Sequence, residues 1–137
     1  MKRSKITAVL AMLLCAVSLV SCTTSVIDYY EEKENYVTAT GVVSYIQLDE
    51  DGLYIGFSQM DYPFDDDTFK IVGENLKIVQ QNGIQEKLKL GDTVTIVTAP
   101  KYFGDGYVMP IVAISIDGEA LLNFEQGYEN LLVWLGE

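Results

Sequence analysis

Apolar and polar positions divide the chain into three regimes. Ile6 to Val20 is apolar except for Thr7 and Ser18, a stretch shorter than the ~20 residues that cross a bilayer as a helix. Thr23 to Asn35 is polar, has no period and carries Asp28, Glu31, Glu32 and Glu34 against Lys33 alone. From Tyr36 onward apolar residues recur with strand or helix periods, which predicts a folded domain over 36–137.

Within that domain, Tyr36–Leu48 is rich in Val, Thr, Ile and Tyr and reads as one long strand, with Gly41 as the place for a bulge. Asp49-Glu50-Asp51-Gly52 predicts a turn in which Asp51-Gly52 supplies positive φ. Leu53, Ile55 and Phe57 alternate in the strand that follows. Gln59–Asp67 is a loop, and Thr68–Val72 is a third strand with Phe69 and Ile71 on one face. Glu74–Asn82 reads as a helix burying Leu76, Ile78 and Val79, with Gly83 as its C-terminal cap; Leu76 and Ile78 suit a strand as well. Leu88–Asp92 is a turn into Thr93–Thr98, where Val94 and Ile96 point inward. After a loop at Pro100–Gly106, Val108–Ile116 is the last long strand, with Val112, Ile114 and Ile116 on one face and Pro110 suited to an edge. Beyond the Asp117-Gly118 turn, Leu121, Phe124, Tyr128, Leu131 and Leu135 recur at helical spacing. Gly127 costs such a helix about 1 kcal/mol relative to Ala, which favours a start beyond it. This helix is expected to cover an open side of the sheet, with Trp134 at the seam.

Three strands, a helix and two more strands is the element order of the OB-fold, a five-stranded Greek-key barrel. The run Leu88-x-x-Gly91-Asp92-x-Val94 resembles the turn into the fourth strand of many OB-like domains. The expected class is therefore α+β, mainly β: a small OB-like barrel with one internal helix and a C-terminal helix. A different small β roll or sandwich would use the same strands.

The N-terminal regime carries a second resemblance. Lys2, Arg3 and Lys5 precede the apolar run, which ends in Leu19-Val20-Ser21-Cys22. This pattern resembles the lipobox of bacterial lipoproteins. The resemblance implies cleavage before Cys22, a diacylglyceryl thioether on Cys22, and a protein facing outside the cytoplasm, at the cell surface or in a periplasm. An uncleaved anchor or an ordinary secretory signal is the alternative, although the latter more often ends in Ala-x-Ala. The expected organisation is a signal peptide at 1–21, a lipidated acidic tether at 22–35 and a single domain at 36–137. Two acyl chains hold a protein at a membrane where one is marginal.

Composition narrows the chemistry. Residues 22–137 keep six basic against twenty acidic residues, a net of −14. A field this negative repels phosphate backbones, so nucleic acid is not an expected partner, and it gives no electrostatic adhesion to anionic lipid. The chain has no histidine, and its two cysteines are Cys15, in the discarded segment, and Cys22. That excludes Ser-His-Asp and Cys-His catalysis, zinc sites built on Cys or His, and a disulfide in the domain. Carboxylate pairs alone can hydrolyse glycosides, but a small domain without His or Cys is not expected to be an enzyme, and no cofactor beyond the lipid is expected.

Two constellations remain. Asp61, Asp65, Asp66 and Asp67 could converge on Ca²⁺, which takes six to eight oxygens from flexible loops, or could form a solvated, mutually repelling loop. Tyr102, Phe103 and Tyr107 flank Gly104-Asp105-Gly106 in the loop that borders the ligand face of an OB-like barrel, with Tyr54 as their companion on the second strand. They either stack on a ligand or cover the barrel end. The resulting expectation is a non-enzymatic binding module for a protein or peptide partner in the cell envelope, with a small-molecule, glycan or calcium-binding lipoprotein as the alternative.

Overall fold

The computed structural model describes residues 27–61, 64, 68–103 and 106–137. The chain divides after Glu32. On the N-terminal side, residues 27–31 are helical, with the Tyr29 and Tyr30 rings edge to face at 5.5 Å. On the other side, Lys33–Glu137 holds a mixed β-barrel built from β1 (Val37–Leu48), β2 (Leu53–Ser58), β3 (Thr68–Ile71), β4 (Thr93–Thr98) and β5 (Val108–Ile116).

Pairing runs β3-β2-β1-β4-β5, and β3 and β5 close the circle in parallel through Thr68↔Val108 and Phe69↔Met109. Every other contact in the barrel is antiparallel. This closed barrel, mainly β with helices added, is OB-like. Closure depends on β1 being long enough to serve two neighbours: Val37–Val42 pairs with β4 and Val42–Leu48 with β2. The register break that bends it lies between Val43 and Tyr45, not at Gly41. Gly41 stays in the ladder for another reason: a Cβ there would lie 2.7 Å from Met60 Cγ.

Strand alternation fills the interior. Ile55, Phe69, Ile71, Ile96 and Ile114 are fully buried, and Val79 and Ile84 join the same core. Val79 belongs to helix α1 (Gly73–Gln81), which ends at Asn82 with Gly83 left-handed at φ 81°, and Ile84 opens a short helix α2 (Ile84–Lys87). The Leu88–Asp92 turn then docks on β1: Gly91 N–H donates to Val43 O and Val43 N–H to Asp92 O, both at 2.8 Å.

Two expectations about β5 change. A register break beside Thr98↔Ile111 puts Met109 and Ile111 in the barrel cluster with Ile114 and Ile116, while Val112, also fully buried, lies outside that cluster. Nor is β5 an edge. Pro110 stands where the β3 ladder ends and the β4 ladder begins, so the missing N–H costs no continuous ladder a bond.

The C-terminal region also differs from its apolar spacing. Ile116 pairs with Glu119 across Asp117 (φ 52°) and Gly118 (φ 78°), the two-residue turn with positive φ at both positions. It leads into β6 (Glu119–Leu122), which places Leu121 in a strand. Helix α3 (Phe124–Leu135) starts at once, because Asn123 Oδ1 accepts from Gln126 N–H at 3.0 Å. Gly127 lies inside α3. A Cβ there would sit 1.7 Å from Val112 O, so the glycine is what lets α3 lie against β5. The buried Asn75 locks α1 to α3: its Nδ2 donates to Gly127 O at 2.9 Å and its Oδ1 accepts from Asn130 at 3.0 Å. The start of the unit is tied to the same helix. Tyr36 meets Phe124 and Tyr128 edge-on, and Lys33 pairs with Glu125 at 3.0 Å, a hydrogen bond that raises the lysine above its ordinary range.

Candidate functional site

Strand period and register build a face on the outside of the barrel. Tyr45, Gly56, Thr68 and Val108 stand opposite one another across β1, β2, β3 and β5, and Gln47, Tyr54, Lys70 and Pro110 form the next row. Gly56 lacks a side chain where a Cβ would meet Tyr45 Cβ at 3.0 Å, so the Tyr45 ring can cover it. The Tyr45 hydroxyl donates to Gln47 Oε1. Tyr45, Gln47, Tyr54, Thr68 and Val108 of these rows floor a shallow groove of about 490 Å³, lined also by Asp49 and Tyr107.

The β1–β2 turn borders this groove. Asp49 Oδ1 accepts from Asp51 N–H at 2.8 Å and from Gly52 N–H at 3.2 Å. The turn thus closes on a side chain, and neither Asp51 nor Gly52 has positive φ. Gly52 is needed for space instead, since a Cβ would lie 2.6 Å from Ile71 O.

The aromatic loop divides in two. Tyr102 and Tyr107 point outward, 44% and 83% exposed, with their rings edge to face at 5.5 Å. Phe103 is buried and packs edge-on against Trp134 at 5.4 Å, and its N–H donates to Val108 O, which closes the loop's base. Tyr107 and Tyr54 meet at the groove, while Phe103 and Tyr54 line a second, deeper depression. Tyr102 lines neither.

That second depression is a cleft of about 850 Å³ between the β1–β2 turn, β3, α1 and the end of α3. Its apolar wall is Leu76, Phe103, Val133 and Trp134. Trp134 reaches it over Gly73, where a Cβ would lie 2.8 Å from the indole Cδ1. Its two cations are engaged. Lys70 Nζ sits 4.8 Å above the Tyr54 ring, and Lys77 binds Glu74 at 2.8 Å. That hydrogen bond, then the charges of Glu74 and Glu137, raise the Lys77 ammonium above its ordinary range.

Of the proposed calcium ligands, Asp65, Asp66 and Asp67 lie outside the described residues. Asp61 serves the sheet: its carboxylate accepts from Thr40 N–H at 2.7 Å, and its own N–H donates to Thr40 O at 3.0 Å. Among the described residues no group of three or more potential metal ligands converges. Cys22 also lies outside them, and no described helix is long and apolar enough to cross a membrane.

Sequence reasoning missed Tyr45, Gln47, Lys70 and Trp134. The first two were within reach, because pairing Leu48 with Leu53 across the turn puts Gln47 opposite Tyr54. Trp134 belongs to the cleft only through the packing of α3, which no local pattern encodes. No family model, curated protein or solved structure matches the chain.

Proposed function

We propose that this protein is a lipid-anchored lipoprotein facing outside the cytoplasm, whose OB-like barrel is a non-enzymatic module for binding a protein or peptide partner. The lipobox-like Leu19-Val20-Ser21-Cys22 supports the anchoring. The observation that carries the binding role is the outward face on which Tyr45, Tyr54 and Tyr107 surround a shallow groove across four strands. Tyrosines offer large contact area at little rotamer cost and concentrate in protein interfaces. A ring left 83% exposed beside a packed barrel leaves burial free energy for a complex. The net negative charge favours a cationic or neutral partner and disfavours nucleic acid.

The test is crosslinking capture by the full-length protein from membranes of its own host. Tyr102→Ala with Tyr107→Ala should lower partner recovery at least about tenfold, and Cys22→Ser should move the protein out of the membrane fraction. Undiminished recovery by the tyrosine variant would remove the loop from the interface. The cleft's volume of about 850 Å³ supports a second reading, a small-ligand lipoprotein, since small-molecule sites usually enclose about 300–1,000 Å³. A thermal shift of the full chain with Ca²⁺ or cell-wall sugars, unaffected by the tyrosine changes, would favour that reading.

A further inference from the structure

We infer that the cleft beside Trp134 receives a basic, apolar-bearing segment of the partner; this rests on the binding-module reading above. The cleft's wall of Leu76, Phe103, Val133 and Trp134 is apolar, and Val133 is left 64% exposed at the mouth. Such a wall takes an apolar or aromatic side chain.

The rim specifies charge. Glu50 and Asp51 approach from the β1–β2 turn and Glu137 from the end of α3. Lys77 is already held by Glu74, and Lys70 lies over the Tyr54 ring. The cleft therefore has four carboxylates and two ammonium groups, both engaged, inside a chain of net charge −11. With four carboxylates against two ammonium groups the lining is net negative, which disfavours an acidic or phosphorylated segment, whereas lysine or arginine would meet complementary charge. Lys70 also shows how a cation is accommodated here, since its own ammonium is seated on an aromatic face of the same cleft. An arginine or lysine of the partner has the same chemistry available on Trp134. In this arrangement the apolar wall fixes position, the rim sets charge preference, and the Tyr45–Tyr54–Tyr107 groove, which shares Tyr54 with the cleft, takes the adjoining part of the segment.

Trp134 is the only tryptophan of the chain, so its emission reports on this cleft alone. The experiment titrates the full chain in neutral detergent micelles with a short peptide of alternating lysine and phenylalanine. A saturable change in Trp134 emission is expected. Val133→Lys, at an exposed position, should abolish it with unchanged thermal unfolding. The pair Glu50→Gln and Asp51→Asn should weaken binding about fivefold, the effect of two exposed charge pairs. The same peptide with glutamate in place of lysine should give no change. An equal response to the glutamate peptide, a response that survives Val133→Lys, or no saturable change overturns the inference. If the partner captured from membranes depends on Tyr107 but not on Val133→Lys, the binding module stands and the basic segment falls. If neither partner nor peptide binds, both fall.

Discussion

At the scale of single residues, absent side chains shape the molecule as much as present ones. Gly127 is the clearest case. In sequence it reads as a weak point in a helix, because intrinsic propensity is the only property a lone chain reveals. In the structure it is the place where α3 touches the backbone of β5, with Val112 O where a methyl group would be. Gly127→Ala should therefore destabilise the protein by about 3 kcal/mol or more, the upper range of overpacking, in spite of alanine's better helix propensity. Gly136→Ala, whose nearest neighbour would be 3.5 Å away, should change little. Chemical denaturation of the two variants checks this; a stabilised Gly127→Ala would mean that α3 does not rest on β5 as described. Gly52 and Gly56 follow the same logic of contact distance. For that reason their roles in the turn and under Tyr45 could not be read from turn chemistry, which suggested positive φ at Gly52.

At the scale of elements, most strands were legible and two boundaries were not. Alternation of Leu53 with Ile55, and of Val94 with Ile96, identified buried faces directly, because one side of each strand meets the core and the other meets water. The C-terminal region misled for a definite reason. Leu121 in β6 happens to stand three residues before Phe124 in α3, so a strand residue continued the helical period. The stronger local signal was Asp117-Gly118, the favoured pair for a turn with positive φ at both positions. Substitution at Gly118 isolates that term, since a Cβ there meets nothing within 4 Å. Gly118→Val should cost about 1–2 kcal/mol from backbone strain alone, and Gly118→Asn distinctly less. Thermal unfolding of both variants provides the comparison, and equal costs would contradict the left-handed turn.

At the scale of the whole molecule, the element order pointed to a barrel but could not show how it closes. Parallel pairing of β3 with β5 joins residues about forty positions apart, and nothing in either segment names the other. The candidate site has the same character. Tyr54, Tyr102, Phe103 and Tyr107 were legible as aromatics beside turns, yet only the closed barrel turns Phe103 inward against Trp134, leaves Tyr107 outside and places Tyr54 between groove and cleft. The proposed function joins two parts: this face engages a partner, and Cys22 holds the protein at a membrane. It is tested most directly by replacing Tyr107 with a photocrosslinking amino acid in the full-length protein, in membranes of its own host. Leu90, 66% exposed and lining neither depression, is the comparison position. The account predicts a discrete crosslinked species from position 107 and none from position 90. The same products from both positions, or none from 107 while the protein sits in the membrane fraction, would contradict it.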